Sequence, residues 1–401
     1  MTQQGSSPRD AAGPLDVASE HPLEHAAITP HRIPPARMGT IGVVAQEMCA
    51  PRNDQLHTTP QVFQRLLGIP MGLPETIADQ ALKEAHTEIM QVCADYLPRE
   101  LQRQLIPRGL AEMPTQIGSF IPWILERASR ARDVAFARQV FSLAQIIQGL
   151  NELGWSYEER EFIRIAALKA LHPCFETDEQ HLPLHYARNR NGHERCIAAG
   201  FDPAIVAAHP HAISESFPDV PMRAVQLADR VVPVGVFIRV KRPFSIYLRM
   251  LRERTLNAMR IPDPFGFRFV CCSSHDRRAF EQHLYDRLPV IERTRTQYLD
   301  RYGHTNERRP NQYSARNFRV TMWCADIAGA RWEFQLMDAP DFVNLWCSKG
   351  SENWYLYRLR QLIALFFRHC FPKEHTGVDW KHAARLCQQH LLKVRRGHIN
   401  G

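Results

Sequence analysis

The sequence lacks three features that would each point to a class. No apolar run approaches the ~20 residues that a membrane-spanning helix requires, which argues against a polytopic membrane protein. The N-terminus lacks the basic-then-apolar order of a secretory signal, so Sec-type export is not expected. The 10 cysteines are scattered, with one adjacent pair at Cys271 and Cys272, and no Cys-x-x-Cys occurs. That spacing gives no support to a zinc ribbon or a thioredoxin-type site, and reduced thiols in the cytoplasm are the simplest expectation.

What is present is 401 residues, 44% of them hydrophobic, enough chain for a sizeable core. At roughly 100–200 residues per domain this predicts two or three domains. Lys+Arg exceed Asp+Glu by 50 to 42, a net charge of +8. A mild basic bias of this kind suits a partner that carries phosphates, whether nucleotide or nucleic acid.

Residues 1–55 are rich in Pro, Ser, Gly, Ala and His without periodicity and read as a disordered tail. A non-Sec bacterial export signal, and with it a secreted effector, is the alternative reading of that tail. Residues 56–230 read as a helical domain. Thr59-Pro60 opens a helix over Gln61–Leu67, and further helices are expected at Pro74–Tyr96, Ser119–Arg132 (with Ser119 as N-cap), Ala135–Leu153 and Tyr157–Leu171. In the last of these Phe162, Ile165, Ala166 and Leu168 form the predicted apolar stripe.

The texture changes near residue 231. Val231–Val240 is β-branched, Phe244–Met259 has a helical face at Ile246, Met250 and Leu251, and Phe265–Cys271 alternates like a strand. A helix at Asp276–Leu288, a loop over 289–317, and two strands at Phe318–Cys324 and Arg331–Leu336 follow. Residues 231–350 therefore predict an α+β domain with a mixed sheet, and 351–401 predict C-terminal helices. In those, Trp354 to Phe367 reads as core, with a self-association surface and a homo-oligomer as the alternative.

Four groups of residues in the α+β block could carry chemistry. Arg239, Lys241, Ser245 and Arg249 lie where a strand ends and a helix begins, so they could converge on a polyphosphate. Asp263 stands just before the strand FGFRFVC, and Glu333 stands inside the strand RWEFQL. Two such carboxylates suit Mg²⁺, a hard cation that prefers oxygen ligands. Arg268 has a defined face in its alternating strand. Arg309, Asn311 and Tyr313 belong to a polar loop able to neutralise phosphates and stack a base. Taken singly, each group also has an ordinary reading as a solvated turn, an exposed strand residue or a polar loop.

Taken in order, IRVKRPFSIYLRM, DPFGFRFV, RRPNQYSARNF and WEFQL resemble the synthetase domain of the RelA/SpoT-type alarmone synthetases. That family shows R-x-K-S-x-x-S-I-x-x-K, D-x-x-G-x-R, K-x-N-G-Y-x-S-x-H and E-I-Q-I-R. The resemblance covers about residues 232–350 and implies a nucleotidyltransferase-like fold and a pyrophosphokinase. It implies ATP phosphates held by Arg239, Lys241, Ser245 and Arg249, with Arg239 and Arg268 flanking the adenine. It implies Asp263 and Glu333 as catalytic residues and Mg²⁺ ligands, with Glu333 also receiving the acceptor's proton. Tyr313 would stack on the acceptor base beside Asn311 and Arg309, and Gln335 would orient the metal ligand or the nucleotide. The reaction implied is transfer of the β,γ-diphosphate of ATP to a ribose 3′-hydroxyl, with release of AMP. Among the departures from the pattern, Gln312 replaces a glycine, Asn317 a histidine and Met337 an arginine, and the family's downstream His/Glu helix motif is not recognisable in Ala339–Leu345. The metal and ATP side is thus better preserved than the acceptor side. The acceptor therefore stays open between a purine nucleotide, as in (p)ppGpp synthesis, and an RNA 3′ end, as in toxin-like members.

Two-domain relatives carry a helical HD hydrolase before the synthetase. HERCIAAGFDPAIVAAH followed by LADRV bears a faint likeness to it, but no adjacent His-Asp pair occurs there, so no hydrolase activity is expected. His181, His185, His193, His209 and His211 read as solvated rather than ligating. The other functional readings are a degenerate synthetase that binds nucleotide or RNA without transfer, and an interaction protein working through the helical region.

Overall fold

The computed structural model describes residues 75–394 except 128, 153–155, 190–194, 229, 254–260, 262, 289–295, 301–317, 328–329 and 350–351. The tail over 1–55 and the helix at Gln61–Leu67 lie outside the described residues.

The chain opens with helices α1 (Glu75–Tyr96), α2 (Ile117–Glu126), α3 (Ala131–Glu152) and α4 (Tyr157–Leu171), with two short helical segments between α1 and α2. The Ser119–Arg132 helix is corrected here. It begins at Ile117 after Gln116, and Ala131 already belongs to α3. Helix α4 begins where the sequence placed it, because Ser156 and Glu159 form a reciprocal capping box. Its predicted stripe is also corrected: Phe162 and Ile165 are 61% and 42% exposed. The buried face instead runs through Ile163, Ala167, Ala170 and Leu171, a set with the same helical spacing.

The helical reading of 56–230 fails beyond residue 174. Strands β1 (Gln180–Arg188), β2 (Cys196–Gly200) and β3 (Ile213–Leu227) occupy that stretch and join the sheet of the following block, so residue 230 is no boundary. The HD-like string falls largely on β2, a single helical turn and the β3–β4 turn, which leaves no helical hydrolase framework there. Then come β4 (Arg230–Val240), α5 (Pro243–Glu253), β5 (Phe265–Cys271), α6 (Ser274–Arg287), β6 (Thr296–Asp300), β7 (Thr321–Ile327) and β8 (Ala330–Asp338). Strand β6 corrects part of the loop expected over 289–317. Helices α7 (Ala339–Cys347), α8 (Trp354–Leu362, extended by Ile363–Cys370) and α9 (Trp380–Val394) complete the described chain. No helix of the described residues is long and apolar enough to cross a membrane.

The architecture is α+β around one mixed eight-stranded sheet of order β2-β1-β3-β4-β5-β8-β7-β6. Only β5 and β8 pair in parallel; the other neighbours are antiparallel. Alternation along the strands gives the sheet two covered faces. One carries Val236, Phe267, Phe269, Trp323 and Phe334 and packs under α4 and α6. Trp323 and Phe334 stack across β7 and β8 with centroids 4.1 Å apart. The other face meets α5, α7 and α8, and Phe366 and Phe367 after α8 lie fully in that core. Burial of Ile246 and Met250 on α5 follows the face that its sequence shows.

Candidate active site

Strand register builds the site. Arg239 of β4 is opposite Gly266 of β5, Gly266 is opposite Glu333 of β8, and Glu333 is opposite Cys324 of β7. One pleat further along lies the row Phe237, Arg268, Gln335 and Met322. A period of two puts both rows on the same face of the sheet, the one toward α5 and α8. Gly266 suits this packing: a Cβ there would stand a tight 3.3 Å from both Arg239 Nη2 and the Glu333 carbonyl oxygen.

Asp263 enters from the turn before β5. Lys241, just past β4, is tied to that turn by its N–H donating to the Pro264 carbonyl at 2.9 Å, and its ammonium pairs with the Asp263 carboxylate. Arg249 of α5 stands 3.9 Å from the other oxygen of Asp263. Arg239 donates to Glu333 at 3.0 Å, and Gln335 donates to the same oxygen at 2.5 Å. Arg268 donates through two nitrogens to Gln335 Oε1, at 3.0 and 2.9 Å. Ser245 accepts from Arg358 of α8 at 2.8 Å. The structure thus brings Arg239, Lys241, Ser245, Arg249, Asp263, Arg268, Glu333 and Gln335 to one place. Arg309, Asn311 and Tyr313 lie outside the described residues, as do Gln312 and Asn317. Met337 continues the Glu333–Gln335 face but is fully buried in the apolar core.

Electrostatics follow from burial. Asp263 and Glu333 are each only 7% exposed. Burial pushes the Asp263 carboxyl up, but Lys241 first, then Arg249 and Arg239, outweigh it and hold it below its ordinary value. Burial brings Lys241 down to about 8, with Asp263 and Glu333 opposing and Arg239 adding to the fall. Arg268 is also lowered, by burial first and by Arg239 next. Among the described residues, Arg268 and Arg358 hydrogen-bond only neutral side-chain acceptors. Arg239, Lys241, Arg249, Arg268 and Arg358 thus stand against Asp263, Glu333 and, on Arg249, Glu253, an excess of positive charge that favours an anionic ligand.

The residues also fit a divalent cation. Asp263 Oδ1 is buried and has no hydrogen-bond partner, so a carboxylate oxygen is free to ligate. Among the described residues no group of three or more His, Cys, Asp or Glu could hold a metal. Mg²⁺ is commonly bound through one or two carboxylates together with substrate phosphates and water, and Asp263 and Glu333 are the two carboxylates that pair with Lys241 and Arg239 here. Of the histidines, His181 bonds Asp219 at 2.6 Å and His209 meets the Ile205 carbonyl at 2.9 Å, while His193 lies outside the described residues.

Three contributing residues are not evident from the sequence. Glu88 of α1 accepts the Phe244 N–H at 2.8 Å and fixes the start of α5. Arg160 of α4 donates to the Lys241 carbonyl at 3.1 Å and holds the basic turn. Arg358 reaches Ser245 from a helix whose aromatic content hides it. The one available signal is an arginine placed three residues after buried Tyr355 and four before buried Leu362. No family model, no curated protein and no solved structure matches the chain.

Proposed function

We propose that the chain is an ATP-dependent, Mg²⁺-dependent pyrophosphokinase of the RelA/SpoT type, with a nucleotidyltransferase-like arrangement of its sheet. The acceptor is the ribose 3′-hydroxyl of a purine nucleotide or of an RNA end. The observation that carries this reading is the meeting of Asp263 and Glu333, distant in sequence, around Lys241 on a single cation-rich face.

In this reading Arg239, Lys241, Ser245 and Arg249 bind the ATP phosphates, and Arg268 lies against the adenine. Asp263 and Glu333 would hold a Mg²⁺ ion, which would supply positive charge to the polyphosphate. The acceptor oxygen forms its bond to the β-phosphorus as the bond from that phosphorus to the bridging oxygen of AMP breaks. AMP leaves with that oxygen, and Glu333 takes the proton of the hydroxyl. Positioning and fixed charge supply most of the rate. Arg309, Asn311 and Tyr313 hold the acceptor, and Gln335 orients Glu333 through its hydrogen bond.

The test is AMP release by the purified chain with Mg²⁺, ATP and each of GDP, GTP, ADP and tRNA. Acceptor-dependent AMP that disappears in Asp263→Ala is the expected result, and no AMP with any acceptor rejects the reading. A second reading is favoured by one observation: both carboxylates are already answered by protein cations, Asp263 by Lys241 and Glu333 by Arg239. That arrangement also suits a protein that binds nucleotide without transfer. Calorimetric nucleotide binding without turnover, unaffected by Glu333→Gln, selects it.

A further inference from the structure

Arg358 belongs to α8, outside the segment that bears the family resemblance. Its Nη2 donates to Ser245 Oγ at 2.8 Å and its Nη1 approaches Gln361 Oε1 at 3.4 Å. Gln361 is held in turn by its donation to the Tyr357 hydroxyl at 2.7 Å. The guanidinium carbon stands 6.0 Å from the Phe244 ring centroid, which places the charge over the first turn of α5. No carboxylate pairs with it among the described residues. Burial lowers its pKa and Arg239 adds to the fall, while Tyr96, Tyr357 and Glu88 oppose it. A guanidinium stays charged at neutral pH all the same. Arg358 and Arg239 therefore lie close enough to repel, and Glu88, the carboxylate that acts on Arg358, does not close an ion pair with it.

The hydrogen bond to Ser245 has a second consequence. The hydroxyl accepts from Arg358, so its own proton is left to be donated elsewhere. Arg358 and Ser245 thus present charge and a donor together, the pairing that a phosphate oxygen takes up. We propose that Arg358 is a polyphosphate-binding residue, and that α8 is part of the nucleotide site as well as part of the core. The proposal rests on the reading of this cleft as a polyphosphate site, and it does not depend on transfer.

The test uses the full chain and two probes, ATP and inorganic tripolyphosphate, with affinity measured by calorimetry. Arg358→Ala is expected to weaken both by about tenfold to a hundredfold, the worth of one charged hydrogen bond. Arg358→Lys recovers part of the loss. Arg368→Ala, at an exposed position in the extension of α8, leaves both affinities unchanged. With Ser245→Ala the two effects are less than additive, since one group orders the other. Should Arg358→Ala not fold, Arg358→Gln removes the charge while keeping a donor to Ser245, and the same loss is expected. If the unaltered chain binds both probes and neither variant weakens them, the role of Arg358 is overturned while the site reading stands. If the unaltered chain binds neither probe, both are overturned.

Discussion

Lys241 carries its charge where burial disfavours it. The group titrates near about 8, so it is charged below that pH and neutral above it. Phosphate has completed its last ionisation by then, near pH ~6, so the ligand does not change over the same range. ATP affinity is therefore expected to fall as pH rises from about 7 to about 9.5, by roughly tenfold for the loss of one ionic contact. Lys241→Arg flattens that profile, because a guanidinium keeps its proton throughout. Titration calorimetry across the range checks both. Binding that is constant with pH in the unaltered chain would place Lys241 away from the phosphates. Stability without ligand moves the other way. Above about 8 the folded state no longer holds a buried ammonium that the unfolded chain still protonates, so this group's cost to folding is relieved as pH rises.

At the level of elements, the site depends on strand register. Gly266 lets the Arg239 side chain pass over β5 to reach Glu333 on β8. Gly266→Ala puts a methyl group 3.3 Å from Arg239 Nη2 and from a backbone oxygen that cannot yield. The expected cost is about 1–3 kcal/mol of stability with roughly tenfold weaker ATP binding, read by denaturant unfolding and calorimetry. Unchanged affinity in a folded variant contradicts the role given to the Arg239–Glu333 contact.

The same elements show what the sequence could and could not reveal. Strands β4, β5, β7 and β8 were legible because they are short runs rich in β-branched or aromatic residues, dense enough in β4 to outweigh Pro233, and the charged exceptions Arg239, Arg268 and Glu333 stand out against them. Strands β1 and β3 were not. Pro183, Pro218 and Pro221 interrupt them, and prolines argue against a strand when only sequence is read. The structure tolerates Pro183 at an irregularity where the β1–β3 register shifts between Leu182 and Leu184. Their burial is also uneven: much of β3 before Phe217 faces solvent. On α4 the true stripe and the predicted one have the same period, so spacing alone could not choose between them. Arg358 escaped because its partner, Ser245, is supplied by tertiary contact alone.

Considered as a whole, the sheet is covered on both faces, but the two coverings differ. Under α4 and α6 lies a nearly continuous aromatic layer. Toward α5 and α8 the core is interrupted by ionised side chains, and no ion pair forms with Arg268 or Arg358 among the described residues. Helices from before the sheet (α1, α3) and after it (α8, α9) share the core on that side, so contacts from both ends of the described chain support one site. A ligand that supplies the missing negative charge binds the folded state and not the unfolded one. ATP or tripolyphosphate at about a hundredfold over its dissociation constant is therefore expected to raise Tm by roughly 5 °C. Differential scanning calorimetry checks this, and no shift with either ligand speaks against a polyphosphate site.

The account is tested most directly by following label from ATP in the presence of Mg²⁺ and the accepting nucleotide or RNA. With ATP labelled at its γ-phosphate, the label is predicted to appear on the acceptor as a 3′-diphosphate. With ATP labelled at its α-phosphate, the label is predicted in AMP, in equal amount. Label released as orthophosphate, ADP as the nucleotide product, or no turnover with any acceptor contradicts it.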